Sequence, residues 1–343
     1  GDYAYIAAFD DDTFAVIDVS DPTTPQIVGT LVDTTNLDGI NDVFVAGKYA
    51  YVTMSNDDSM RIIDISDPTN PFLVGGIQDG SNLNLATEVQ VVGKYAYILS
   101  YLDQSMRIAD VSDPANPVLV GGIKDTTNLI APSEIYVVGK CAYEVGGSTT
   151  GYFNVIDISD PYSPTIVGTL NDNTNLDTPN GIRVAGGYAY VSVLSDNSIR
   201  IIDISDPTSP TIVGGLKDDT NLAGPTNIEI SGKYAYVTRS GSDAVTVIDL
   251  FGADIPTADI GSIASGILNV RGSGRIGTDL RVGNSLMVGL SGISTMGNIH
   301  TNGSLSFASS SKFTSIPTNA DGETGFQFDV VNADVNLGNF VSF

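Results

Sequence analysis

The chain has one cysteine (Cys141), one histidine (His300) and no tryptophan in 343 residues. One thiol builds no disulfide framework within a chain, and one imidazole supports neither a zinc cluster nor a histidine-centred triad. Glutamate is scarce as well, with Glu88, Glu134, Glu144, Glu229 and Glu323 set against 35 aspartates. Glutamate favours helices and aspartate favours turns, and 37 glycines and 15 prolines add to the same bias. No apolar run approaches the roughly 18 residues of a membrane-spanning helix, so no membrane insertion is expected. Basic side chains number 15 against 40 acidic ones, and a net charge of −25 repels phosphate backbones and anionic headgroups. Nucleic acid is therefore not expected as a partner, whereas cations and basic surfaces are favoured.

An all-β chain rich in turns remains, and its order is periodic. Tyr3-Ala-Tyr5 returns as Tyr49-Ala-Tyr51, Tyr95-Ala-Tyr97, Cys141-Ala-Tyr143, Tyr188-Ala-Tyr190 and Tyr234-Ala-Tyr236, in steps of 46, 46, 46, 47 and 46 residues. A second marker, Asp18-Val-Ser-Asp-Pro22, returns in the next four repeats, ending at Pro68, Pro114, Pro161 and Pro207, and shrinks to Ile248-Asp249-Leu250 in the sixth. One repeat reads as four short strands: Asp42 to Val45, Tyr49 to Thr53, Met60 to Ile65 and Phe72 to Ile77. Four strands in about 46 residues make a propeller blade, so residues 1–265 are predicted to form a six-bladed β-propeller.

These two markers, in fixed phase, resemble the LVIVD-repeat family of propellers. The resemblance implies a bacterial or archaeal surface or secreted protein and carries no catalytic residues with it. The first repeat starts at its second strand, because the chain opens directly on Tyr3 to Ala7, a pattern that suggests a processed or trimmed terminus. The stretch 266–272, with Ile267 to Gly272 spaced like Asp42 to Gly47, is expected to supply the missing inner strand and close the ring.

Residues 273–343 change character. Ile276, Val282 and Val288 step by six with Leu280 and Leu286 between them, predicting a short β-prism or β-helix-like stalk similar to phage tail-fibre and bacterial surface-fibre segments. Phe326, Phe328 and Val330 alternate with polar residues in a strand-rich tail. Such apolar patterns on short segments are expected to pair with other copies of the chain. Residues 1–265 hold 11 basic and 35 acidic side chains, so nearly all the net charge sits in the propeller.

Candidate sites follow the blade register. Asp11, Asp12, Asp57 and Asp58 fall in the turns between second and third strands, and Asp33, Asp79 and Asp125 open the loops to the next blade, on the same face. Their oxygens suit Ca²⁺, yet Asp and Asn also make Asx turns without metal; no cofactor is required, and calcium is the one candidate. Asp42, Glu88 and Glu134 stand at equivalent positions at the mouth of the central channel, where they could bind a cation or basic peptide or stand solvated. Acids in blade register lack the asymmetry around one bond that glycoside hydrolysis needs. Cys141 replaces a repeated tyrosine and reads as a small buried side chain, and His300 as a surface residue. The expected function is that of a non-enzymatic extracellular structural protein, a subunit of a surface filament or fibre. The alternative is a surface-displayed binding or adhesion module taking a cationic or carbohydrate ligand on the acidic face.

Overall fold

The computed structural model describes residues 1–147, 150–241 and 244–250. They form a six-bladed β-propeller, each blade an antiparallel sheet. Blades two to five have four strands each, running from the inner to the outer edge in chain order. Blade two uses Ile40–Ala46, Tyr49–Met54, Ser59–Asp64 and Phe72–Gln78, each slightly longer than its sequence pattern suggested or shifted by a residue. The turn between first and second strands is tight because Gly47 takes φ of +63°, and Gly93 and Gly139 repeat the conformation at +64° and +66°. The only helix among the described residues is the single 3₁₀ turn Phe9–Asp11.

Apolar layers between consecutive blades form the core. Tyr51, Met60 and Ile62 of blade two pack on Val89, Val91, Ala96, Ile98 and Ala109 of blade three. The same positions meet at the other junctions from blade one to blade six. Each connecting loop adds a fully buried leucine: Leu37, Leu83, Leu129, Leu176 or Leu222. At the outer edge, a glycine of the outer strand in blades one to four meets the Pro carbonyl of the next blade's corner. A Cβ there would lie 2.1 Å from the oxygen of Pro68 at Gly29, 2.5 Å from Pro114 at Gly75, and 2.1 Å from Pro161 at Gly121. The part of the sixth repeat that would supply the next corner, after Leu250, lies outside the described residues.

The array ends unevenly. Among the described residues, blade one holds the second, third and outer strands, Tyr3–Ala8, Thr13–Asp18 and Gln26–Val32. Blade six holds the inner three, Pro225–Ser231, Tyr234–Arg239 and Ala244–Asp249. The expected closing strand 266–272, the stalk and tail over 273–343, and the assembly residues Ile276, Leu280, Val282, Leu286, Val288, Phe326, Phe328 and Val330 lie outside the described residues, as does His300. No helix among the described residues is long and apolar enough to cross a membrane.

Candidate functional site

The inner strands of blades two to six stand side by side around the channel. Along each, alternate residues enter the layers between blades: Val43 and Val45, Val89 and Val91, Ile135 and Val137, Ile182 and Val184. Strand alternation therefore turns the intervening residues to the channel: Asp42, Glu88 and Gln90, Glu134 and Tyr136, Gly181 and Arg183, with Asn227 and Glu229 in blade six.

Side chains stitch one inner strand to the next. The Val89 amide donates to Asp42 Oδ2 at 3.0 Å, and the Ile182 amide donates to Glu134 Oε2 at 2.9 Å. Gln90 Oε1 accepts from the Val137 amide, while Asn41 Nδ2 and Asn180 Nδ2 donate to the carbonyls of Thr87 and Thr226 at 2.8 and 2.9 Å. Arg183 crosses to both neighbours, pairing through Nη1 with Glu134 and through Nε with Glu229 at 2.7 Å. Glu88 is the exception, with no hydrogen bond or ion pair among the described residues. It borders a cavity of about 230 Å³ lined also by Ser133, Glu134, Asn180, Thr226 and Asn227.

Burial sets the charge of these groups. It raises the Asp42 carboxyl against the help of the Val89 and Val43 amides. It pushes Glu134 up to about 7 against the pull of Arg183. Glu88 is held well above the ordinary carboxylate range by burial first, then by the negative charges of Asp42 and Glu134. Of the three acids, Glu134 is the one withdrawn from water: it is only 5% exposed and fixed by two donors, because the inner strands approach closely enough to share hydrogen bonds, whereas Asp42 and Glu88 are half-buried.

The loop aspartates are brought to one face, as expected, and used differently from a metal site. Asp12 Oδ1 accepts from the Gly39 amide at 2.9 Å and Asp58 Oδ1 from the Leu85 amide at 2.8 Å, so each turn locks onto the loop leading to the next blade. Asp57 Oδ2 accepts from Arg61 Nη2 at 2.6 Å and from Ser59 Oγ at 3.0 Å. Asp33, Asp79 and Asp125 each accept from amides two or three residues on and from the Nδ2 of Asn36, Asn82 or Asn128. In the fifth repeat this role falls to Asp218, which accepts from the Thr220 and Asn221 amides and from Asn221 Nδ2. Asp11 contributes its carbonyl, to Thr13 Oγ1 at 2.8 Å. No three carboxylate, histidine or thiol groups converge as metal ligands among the described residues.

Two features escaped the sequence pattern. Arg61, Arg107 and Arg200 share one phase, each donating Nε to an Asn carbonyl of the preceding loop and pairing with the Asp four residues earlier. The recurrence of Asp-x-x-x-Arg was the available signal. Blade four breaks it with Asn154, which donates to the Asn128 carbonyl and to Glu144 Oε2, both at 2.7 Å. Glu144 stands where other blades have Val52, Ile98 or Val191. It is fully buried, its Oε1 has no partner, and burial pushes its carboxyl up to about 8. Gly146 makes the room, since a Cβ there would lie 2.7 Å from that Oε1. Cys141 is half-buried, with its thiol raised by burial.

A family model described as the LVIVD repeat matches residues 1–34, 40–79, 85–125, 133–172, 179–218 and 225–250. Solved structures similar to the chain include a functionally unknown protein from Desulfotomaculum acetoxidans, with 14% identity and a TM-score of 0.57 over 72% of this chain and 79% of that one. Hydrazine synthase from Kuenenia stuttgartiensis matches with 17% identity and a TM-score of 0.55 over 73% and 80%. A Bacteroides fragilis protein described as a candidate 6-phosphogluconolactonase matches with 16% identity and a TM-score of 0.60 over 72% and 76%. These likenesses are of fold. No curated protein matches the chain.

Proposed function

The chain belongs to the LVIVD-repeat family, and from that premise we propose that it is a non-enzymatic, extracellular propeller that binds a small organic cation at the acidic end of its channel. The observation carrying this reading is Glu88, an unpaired carboxyl in a cavity whose other acid, Glu134, already holds the Ile182 amide and Arg183. A cavity of about 230 Å³ falls below the range of drug-sized pockets and suits a compact group. A bare divalent ion would need six to eight oxygens converging at bonding distance, and no three carboxylates converge here. An ammonium group needs only acceptors at hydrogen-bond range, which Glu88, Ser133 and the amide oxygens of Asn180 and Asn227 supply.

Isothermal titration with putrescine at pH 7 tests the reading. Binding should release protons, since a cation beside raised carboxyls favours their charged forms. Glu88→Gln should lose at least tenfold in affinity. Equal binding by both proteins, or no heat at millimolar putrescine, overturns the proposal.

A further inference from the structure

An arginine of the third strand plays the same part in blades two, three and five. Arg61, Arg107 and Arg200 lie across the sheet from Gly76, Gly122 and Gly215 of the outer strand. Each glycine gives the arginine room, since a Cβ added there would lie 2.6, 2.9 or 3.1 Å from the arginine Cδ. The guanidinium then reaches the loop from the preceding blade and donates Nε to the carbonyl of Asn36, Asn82 or Asn175. Blade four changes both members of the pair. Asn154 stands for the arginine and Thr169 for the glycine, and Thr169 Oγ1 donates to Asn154 Oδ1 at 2.9 Å. The surroundings of the guanidinium are kept: Asp125, Asn128 and Thr169, which correspond to Asp33, Asn36 and Gly76, line a cavity of about 480 Å³ at the outer edge. The loop acids register the change. Asp33, Asp79 and Asp172 are lowered first by Asn36, Asn82 and Asn175 and further by Arg61, Arg107 and Arg200, whereas Asp125 is lowered by Asn128 and backbone amides without an arginine.

We propose that this cavity binds a guanidinium group, the end of an arginine side chain or of a small guanidine, which enters where the other blades place their own arginine. The lining offers acceptors. Asp125 Oδ2 takes one bond, from Asn128 Nδ2, the Asn128 carbonyl takes one from Asn154 Nδ2, and the Thr169 hydroxyl donates its proton to Asn154, so each oxygen keeps a lone pair for a ligand. Such a set suits a group that only donates. A planar fork of five N–H groups reaches several acceptors at once, as a point-like ammonium does not. Behind the lining, fully buried Glu144 accepts from Asn154 Nδ2 on Oε2, while its Oε1 has no partner. Blade four is thus short of a cation twice over, since neither Asp125 nor Glu144 has an ion pair among the described residues. The site is built on the outer strand of blade four, shares no lining residue with the cavity beside Glu88, and stands or falls independently of the channel reading.

Isothermal titration of the full chain tests this with three probes: ethylguanidinium, a blocked tripeptide with arginine between two glycines, and the same peptide with lysine. The arginine peptide or ethylguanidinium should bind at millimolar concentration or below, and the lysine peptide at least tenfold more weakly. Equal affinity for the two guanidinium probes assigns the site to a free guanidine, and tighter binding of the arginine peptide assigns it to a side chain of a protein partner. Asn154→Arg with Thr169→Gly restores the pattern of the other blades and should lower affinity at least tenfold, with putrescine binding unchanged. Asp125→Asn removes the charge and leaves the cavity open, so a similar loss there tests the site even if the double variant fails to fold. Glu88→Gln should bind the guanidinium probes like the parent chain. Binding lost in Glu88→Gln and kept in Asp125→Asn would place the guanidinium in the channel and overturn this site. Equal binding of the lysine peptide, or no heat from either guanidinium probe, would overturn it as well.

Discussion

On the loop face, Asp33 and Asp79 are pulled below the ordinary carboxylate range by the Asn36 and Asn82 side chains and by backbone amides, whereas in and beside the channel Glu88, Glu134 and Glu144 are pushed above it by burial. The difference lies in the supply of backbone N–H groups. A loop has amides free to donate, so a short carboxylate placed there folds back onto them. A strand has most of its amides committed to the ladder, and an acid between strands finds only the few that face the next blade, such as Val89 and Ile182. Asp accordingly serves the turns, while four of the five glutamates occupy inner or second strands.

The sharpest way to break this contrast is pH. Groups raised in the folded state bind protons more tightly there than in the unfolded chain, so their stabilising share is full below the ordinary Glu value of 4.5 and lost as pH rises through about 7 for Glu134 and about 8 for Glu144. Lowered loop acids behave in the opposite sense, their share being full above 3.8 and lost as pH falls, towards about 2 for Asp110. Stability should therefore peak at about pH 4–5, lower than usual. Glu144→Gln should remove the largest part of the high-pH loss, on the order of 3 kcal/mol between pH 5 and 8.5. Urea unfolding at both values measures it, and an identical loss in the parent and the variant would show that Glu144 is not held neutral.

A smaller effect is expected on the loop face. Asp103 is 5% exposed and accepts from Arg107, Lys124 and Ser105. Removing it in Asp103→Ala strands the Arg107 guanidinium, at a cost of about 2 kcal/mol in denaturant midpoint experiments. A cost near zero would mean that the loop acids are as dispensable as the channel acids. The smallest effect belongs to Glu88→Gln, which removes repulsion from Asp42 and Glu134 without losing a hydrogen bond. Its melting temperature at pH 8 should stay level or rise slightly, within about 1 kcal/mol. A marked fall would show that Glu88 supports the fold rather than standing ready for a ligand.

The blades were legible in the sequence because Tyr-Ala-Tyr opens each second strand and Ser-Asp-Pro follows the third strand in five of the six repeats, so two markers in fixed phase framed each hairpin. The channel acids were legible as a register: Asp42, Glu88 and Glu134 were found at equivalent positions. Their burial was not legible, because alternation gives a direction and no distance, and the cross-blade bonds to Val89 and Ile182 depend on how closely two inner strands approach. Arg183 escaped for a related reason. Its partners Glu134 and Glu229 lie 49 and 46 residues away in the chain, one on each side in space. The bonding of the loop acids was not legible either, since Asp-x-x-Asn-Leu gives residue types without directions, and the structure shows the acids turned back on their own amides with the leucine as an anchor.

The glycine that abuts the next blade's Pro carbonyl has a consequence for heredity. Each joint is carried half by one repeat and half by the next, and the halves are alike from joint to joint. An unequal exchange between copies of the coding sequence, moving it by one whole repeat of about 46 residues, would therefore leave every new joint complete. Blade number can drift by duplication and loss with no compensating change elsewhere.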